Sequence, residues 1–167
     1  MSRGVFRVLD IKHGTIVDGV GLRTSIYFAG CKHHCSGCHN PQSWDMMGGK
    51  VMTQEQLCEC ISKEKSRNVT LTGGDPLFQD LEALASLIKA MRKEGVQSVW
   101  LYTGYTFDFL LQHEAYAAVL SVVDVIVDGP YMEQLRSTQV PFRGSMNQRI
   151  IDVQKSIINH QIIEYEY

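Results

Sequence analysis

Short apolar runs alternate with longer amphipathic ones along most of this chain, and that rhythm constrains its fold more than any other feature. "TSIYFAG" (residues 24–30) reads as a buried strand. "TQEQLCECISKEK" (53–65) reads as a helix, with Thr53 as N-cap and Glu55 in the first turn. "NVTLTGG" (68–74) is a second strand that breaks into a glycine turn. The clearest helix is 80–95, where Leu81, Leu84, Leu87, Ile88 and Met91 recur at spacings of three and four and Gly95 closes the run. A third strand follows at 98–104, a mostly helical stretch at 107–121, and a fourth strand at 124–130. Residues 148–153 are a candidate fifth strand and 6–11 a candidate edge strand. Alternation of this kind makes parallel strands joined by crossover helices. The predicted class is α/β: a mostly parallel curved sheet or partial barrel, with function gathered in the loops at the C-terminal ends of the strands. No repeat, low-complexity block or linker interrupts the pattern. A length of 167 residues suits one well-filled core, so 1–167 reads as a single domain.

Composition narrows the setting. Hydrophobic residues make up 44% and charged residues 20%, ordinary for a soluble globular protein. A net charge of −2 gives no electrostatic reason to expect nucleic acid or an anionic membrane as partner. The stretch "MSRGVFRVLD" lacks the apolar region of a signal peptide. The apolar neighbourhood at 116–127 contains Ser121 and Asp124 and falls far short of the roughly 20 residues a membrane span needs. The expected location is cytoplasmic. Five cysteines, an odd number with three clustered, argue against a disulfide framework and for metal or redox chemistry.

Those three lie in "GCKHHCSGCHNPQSWD" (30–45), as Cys31-x3-Cys35-x2-Cys38. Thiolates select zinc, copper(I) or iron–sulfur clusters, and three of them leave one metal position open. A zinc site would recruit His33, His34 or His39 as fourth ligand. Zinc motifs, however, usually pair ligands on two segments, and no second pair is obvious. Cys58 and Cys60 stand two apart on a predicted helix and point to different sides, and Cys58 reads as a small buried apolar group. A cubane on three cysteines accounts for the clustering better, because it leaves one iron free for an outside ligand. The cysteine loop follows the first strand, "TGGDP" (72–76) the second, "YTGY" (102–105) the third and "VDGPY" (127–131) the fourth, so all four converge on one face. Gly73 and Gly74 would let a ligand approach backbone that a side chain would shield. Taken singly, each of the last three motifs is also an ordinary turn.

Read in order, "VDGVGLRTSIYFAGC", "GCHN", "LTGGDPL", "YTGY", "VDG" and "FRGSMNQR" carry a family resemblance over residues 18–149. The chain resembles the radical S-adenosylmethionine enzymes, most closely the activating enzymes of glycyl radical proteins, and among these the ones that serve an anaerobic ribonucleoside-triphosphate reductase. The resemblance implies a partial (β/α) barrel of the radical S-adenosylmethionine type. It implies a [4Fe–4S] cluster on Cys31, Cys35 and Cys38, whose fourth iron takes the amino and carboxylate groups of S-adenosylmethionine. Gly73, Gly74 and Asp75 would offer acceptors to the cofactor's ammonium group, and Gly37, Cys38 and His39 would lie against its adenosyl part. One-electron cleavage would give methionine and a 5′-deoxyadenosyl radical, which takes hydrogen from a glycine Cα of the large reductase subunit. Flavodoxin or a similar low-potential carrier would supply the electron. The sequence departs from the superfamily at Gly37, where an aromatic residue often precedes the third cysteine.

Two other classes stay open at this point. One is a different small radical S-adenosylmethionine enzyme acting on a small molecule such as a purine precursor. The other is a zinc-binding interaction module. Asp18, Arg23, Asp128, Arg143, Asn147 and Arg149 sit in motif-like surroundings, where loop hydrogen bonds account for them as readily as ligand contacts. Lys89, Arg92 and Lys93 read as a solvated helix face, and "IINHQIIEYEY" as an amphipathic tail that packs on the body or on a partner.

Overall fold

A computed structural model describes residues 4–167; Met1–Arg3, the start of the "MSRGVFRVLD" stretch, lie outside the described residues. The strands are β1 (Val5–Thr15), β2 (Arg23–Phe28), β3 (Lys50–Thr53), β4 (Asn68–Gly73), β5 (Ser98–Tyr102), β6 (Val125–Asp128) and β7 (Arg149–Asp152). They form one sheet in the order β3-β1-β2-β4-β5-β6-β7. β2, β4, β5 and β6 run parallel, as their alternation with helices predicts. The flanks do not. β1 pairs antiparallel with both β2 and β3, and β7 pairs antiparallel with β6. The fold is thus mixed α/β with a parallel centre. The expected edge strand is internal, and the edge belongs to β3, a four-residue strand that the sequence reading did not name.

The helices are α1 (Gln54–Ser62), α2 (Leu81–Lys93), α3 (Phe107–Leu111), α4 (Ala117–Leu120) and α5 (Val153–Asn159). Thr53 caps α1 in a reciprocal box with Gln56, and Asp80 caps α2 through the Ala83 amide. The stretch expected to be mostly helical from 107 to 121 is broken: α3 ends, His113 is extended, and a short 3-10 turn leads into α4. At about 100° per residue, an unbroken helix would turn Val119 and Leu120 well away from the face of Phe107. The break lets Phe107, Leu110, Val119 and Leu120 all reach the core.

All five helices pack on the same sheet face. Ile26, Phe28, Val69, Leu71, Val99, Leu101 and Ile126 meet Leu57, Leu84, Ile88, Phe107, Val119 and Val153 there in one buried cluster. The period-two alternation sends Arg23, Tyr27, Trp100, Tyr102, Val125 and Val127 to the opposite face. There Trp100, Val125, Val127 and Ile150 form a smaller cluster with Phe142 and Tyr165. The tail packs on the body: Tyr165 donates its amide to the Ile150 carbonyl and meets Trp100 edge-on at 5.3 Å. Arg92, expected to be solvated, instead donates to Asp124 at 2.6 Å and to the carbonyls of Gln97 and Val122. No helix among the described residues is long and apolar enough to cross a membrane.

Candidate active site at the strand ends

Because β2, β4, β5 and β6 are parallel, the loops that follow them leave the sheet at one end. Backbone bonds knit the first two loops together. The Gly74 amide donates to the Phe28 carbonyl at 2.7 Å, the Asp75 amide to the Gly30 carbonyl at 2.9 Å, and the Gly30 amide to the Ser43 carbonyl at 2.7 Å. Asn40, two residues past Cys38, adds a side-chain bond to the Gly73 carbonyl at 3.3 Å. The glycines are required by this closeness. A Cβ on Gly73, which adopts φ +106°, would lie 2.4 Å from the Phe28 nitrogen. One on Gly74 would lie 2.4 Å from the Gly30 carbonyl oxygen. We expect Gly74→Ala to force the loops apart at a cost of about 1–3 kcal/mol, the range for overpacking, read as a lower thermal midpoint.

Beside these loops lies a cleft of about 640 Å³. Cys35, Cys38, His39, Gly73 and Gly74 line it, together with Asn40, Thr72, Tyr102, Thr103, Gly104, Gly129, Tyr131, Gly144 and Gln148. β1 and the loop after it contribute Asp10, Lys12 and Asp18 to the opposite wall, where Tyr27 Oη donates to Asp18 at 2.6 Å. Burial and that bond to a carboxylate push the Tyr27 pKa well up, so the phenol keeps its proton. His39 packs against Tyr131 at 4.9 Å between ring centroids.

Three of the expected site residues stand outside the cleft wall. Cys31 is half-buried behind it, and burial pushes its thiol up to about 11, opposed by the backbone N–H groups of His33 and His34. Gly37 adopts φ +73°, and a Cβ there would lie 2.5 Å from the Glu133 carboxyl carbon. Asp75 is a correction to the expectation that its carboxylate faces a cofactor. It is 1% exposed and already accepts four donors. His33 Nε2 at 2.8 Å, Thr103 Oγ1 at 2.8 Å and the Gly104 amide at 3.0 Å meet Oδ2, and the Leu77 amide at 2.9 Å meets Oδ1.

The other polar candidates are mostly structural. Asp128 is buried, accepts the Phe107 amide and pairs with Arg149, which also reaches Asp108. Arg143 and Asn147 bond the carbonyls of Gln148 and Pro130. Sequence reasoning left Asn40, Thr103 and Gln148 unassigned. All three lay inside motifs already singled out, but Gly73, the partner of Asn40, and Asp75, the partner of Thr103, are 33 and 28 residues away.

The donor set fits an iron–sulfur cluster. All five cysteines are free thiols, the three clustered ones are half-buried, and the Cys38 sulfur accepts the Asn40 amide at 3.4 Å. Among the described residues, no group of three or more His, Cys, Asp or Glu is placed to hold a metal ion. His33 is committed to Asp75, and His34 stacks on Trp44 at 4.6 Å. The histidines considered as a fourth zinc ligand therefore have other partners.

A three-cysteine loop at the strand ends of a parallel-centred α/β sheet suits an iron–sulfur domain, and the comparisons agree. The family described as "4Fe-4S single cluster domain" matches residues 17–151. An anaerobic ribonucleoside-triphosphate reductase-activating protein of Enterobacteria phage T4 is 38% identical, over 80% of this chain and 86% of its own length. Proteins of the same name from Vibrio cholerae and Escherichia coli K12 are 34% and 32% identical, each covered over 90% of its length. The chain belongs to the family of anaerobic ribonucleoside-triphosphate reductase-activating proteins. The crystal structure of QueE from Escherichia coli superposes with a TM-score of 0.52 at 21% identity, over 61% of this chain. The chain spans about half of that structure (53%), and the likeness is one of fold.

Proposed function

We propose that this chain is the activase of an anaerobic ribonucleoside-triphosphate reductase, installing a glycyl radical on its large subunit by radical S-adenosylmethionine chemistry. The observation that carries the reading is the convergence of the cysteine loop and three glycine-bearing strand ends on one cleft. Cys31, Cys35 and Cys38 would hold the [4Fe–4S] cluster. When bound, the cluster and S-adenosylmethionine supply a one-electron reductive cleavage and a carbon-centred radical able to take hydrogen from a glycine Cα. The residues of the chain do the rest. Gly73 and Gly74 would expose backbone to the cofactor, while Cys38 and His39 on the cleft wall would flank its adenosyl side. Tyr102, Tyr131 and the bonded Asp18–Tyr27 pair line the same cleft. A glycine is a suitable target because, without a Cβ, its backbone is open to attack.

The helices lie on one sheet face and the cleft on the other, which supports a sheet curved into the partial barrel of the radical S-adenosylmethionine type. The electron donor would be flavodoxin or a similar low-potential carrier. Five free thiols suit a reducing, cytoplasmic setting.

The test is electron paramagnetic resonance on anaerobically reconstituted, reduced protein, followed by addition of S-adenosylmethionine and then of the host's reductase. The expected result is a cubane signal that changes shape with the cofactor, then a glycyl radical on the reductase. Cofactor cleavage that never marks the reductase would favour a small-molecule enzyme. Zinc in place of the cubane would overturn the radical mechanism.

A further inference from the structure

His33 lies between the first two cysteines, yet its ring is built into the protein. Nε2 meets Asp75 Oδ2 at 2.8 Å, and because a carboxylate only accepts, that nitrogen carries the hydrogen. Phe78 and Tyr105 meet the ring edge-on, at centroid distances of 5.3 and 4.6 Å. Gly104 leaves the space the ring occupies, since a Cβ there would lie 2.5 Å from His33 Cδ2. The same Asp75 oxygen accepts Thr103 Oγ1 and the Gly104 amide. One buried carboxylate therefore joins the loops after β2, β4 and β5.

We propose that His33 is a positioning residue: clasped by Asp75, it fixes the cysteine loop to the ends of β4 and β5 and so sets where Cys31 and Cys35 present their sulfurs. The inference rests on the cluster reading above and deepens it. Three cysteines on a short loop define a cluster geometry only if the loop itself is held. The bonds from Gly30 to Ser43 and from Cys31 to Trp44 hold its start, and the Cys38–Cys35 turn and Asn40 hold its end. In between, His34 stacks on Trp44, and His33 supplies the side-chain hydrogen bond that ties the loop to the ends of β4 and β5. Outer-shell bonds of this kind orient ligands and tune the metal centre.

The clasp can be removed without stranding a buried charge. His33→Ala leaves Asp75 with Thr103, Gly104 and Leu77 as donors. Asp75→Asn, by contrast, would turn an amide group toward donors and endanger the fold, so the test is made from the histidine side. In reconstituted protein, His33→Ala should speed amide hydrogen exchange across residues 31–39 about ten- to a hundredfold, the factor lost with one charge-assisted hydrogen bond. Exchange in the strands should stay at the wild-type rate. The midpoint potential of the cluster should shift, and a chelator should strip iron faster by a similar factor. His33→Gln should restore most of the protection, because its Nε2 can reach the same oxygen. Gly104→Ala should reproduce the loss by evicting the ring.

Unchanged exchange at 31–39 in His33→Ala would overturn the proposal. So would a loss spread evenly over the sheet, which would mark His33 as a plain core contact. If the wild type assembled no cubane, the functional reading would fail, and the exchange contrast in the metal-free protein would still decide the clasp.

Discussion

Cys38→Ala is expected to lose the iron–sulfur cluster, and all reductive cleavage of S-adenosylmethionine with it, while keeping the fold. The side chain is half-buried on the cleft wall and accepts a single amide, from Asn40 at 3.4 Å. Its truncation removes few packing contacts, so the thermal midpoint should stay within a few degrees of wild type. The chemical loss is of another order. A cubane already short of one protein ligand would be held by two thiolates, too few to survive reconstitution and reduction. Cys31→Ala and Cys35→Ala should behave alike. Cys60→Ala, on the α1 surface, should keep full iron content. Iron analysis, the reduced cubane signal and methionine release measure all four variants. A Cys38→Ala protein with wild-type iron and signal would remove the three-cysteine site from the argument.

The contrast between Cys38 and Asp75 shows which parts of the site were legible in the sequence. Cys35, Cys38, His39, Gly73 and Gly74 were readable because strand–loop alternation places short motifs at one end of a parallel sheet whatever the detailed packing. The role of Asp75 was not. Its partners Thr103 and His33 lie 28 and 42 residues away, and only the folded register brings their hydrogens to one carboxylate. The sheet follows the same division. Central strands announce themselves as apolar runs followed by glycine, and period-two alternation assigns their faces. β3 is four residues, "KVMT", too short to show a period, and the direction of β7 depends on how residues 129–148 cross the sheet end. Arg92 read as solvated because its own helix pattern is amphipathic, and nothing local points to Asp124 on the next crossover.

Arg23 leads to the second large effect, on stability. It begins β2 on the helix-free face and is 1% exposed. Nε donates to Thr70 Oγ1 at 2.8 Å, Nη1 to the Val20 carbonyl at 2.8 Å, and Nη2 to the Val69 carbonyl at 2.9 Å and to Ser98 at 3.2 and 3.3 Å. The guanidinium also lies over Trp100 at 5.2 Å. Thr70 passes the link on, donating to the Asp18 carbonyl at 2.7 Å. A Cβ on Gly19 would meet Arg23 Cδ at 2.9 Å and Trp100 at 3.0 Å, so the loop before β2 lies directly on this pair.

Arg23→Met keeps much of the volume but leaves the Thr70, Val69 and Ser98 acceptors without their donor. The expected cost is about 3–5 kcal/mol, a large part of the roughly 5–15 kcal/mol that stabilises a domain. In a chain of this length that lowers the thermal midpoint by about 6–20 °C. Arg23→Lys should recover little, because one ammonium cannot span acceptors arranged for a planar fork. Desolvation pulls the Arg23 pKa down to about 10, still far above neutrality. The group is therefore protonated in both folded and unfolded chains, no proton is exchanged on unfolding, and the loss should not vary across the neutral range. Since the Arg23–Thr70 pair also anchors the loop that carries Asp18, the variant should weaken cofactor binding at temperatures where it is still folded. A melting curve close to wild type would mean that solvent reaches these acceptors, and the buried fork would lose its place as the anchor of the cleft's far wall.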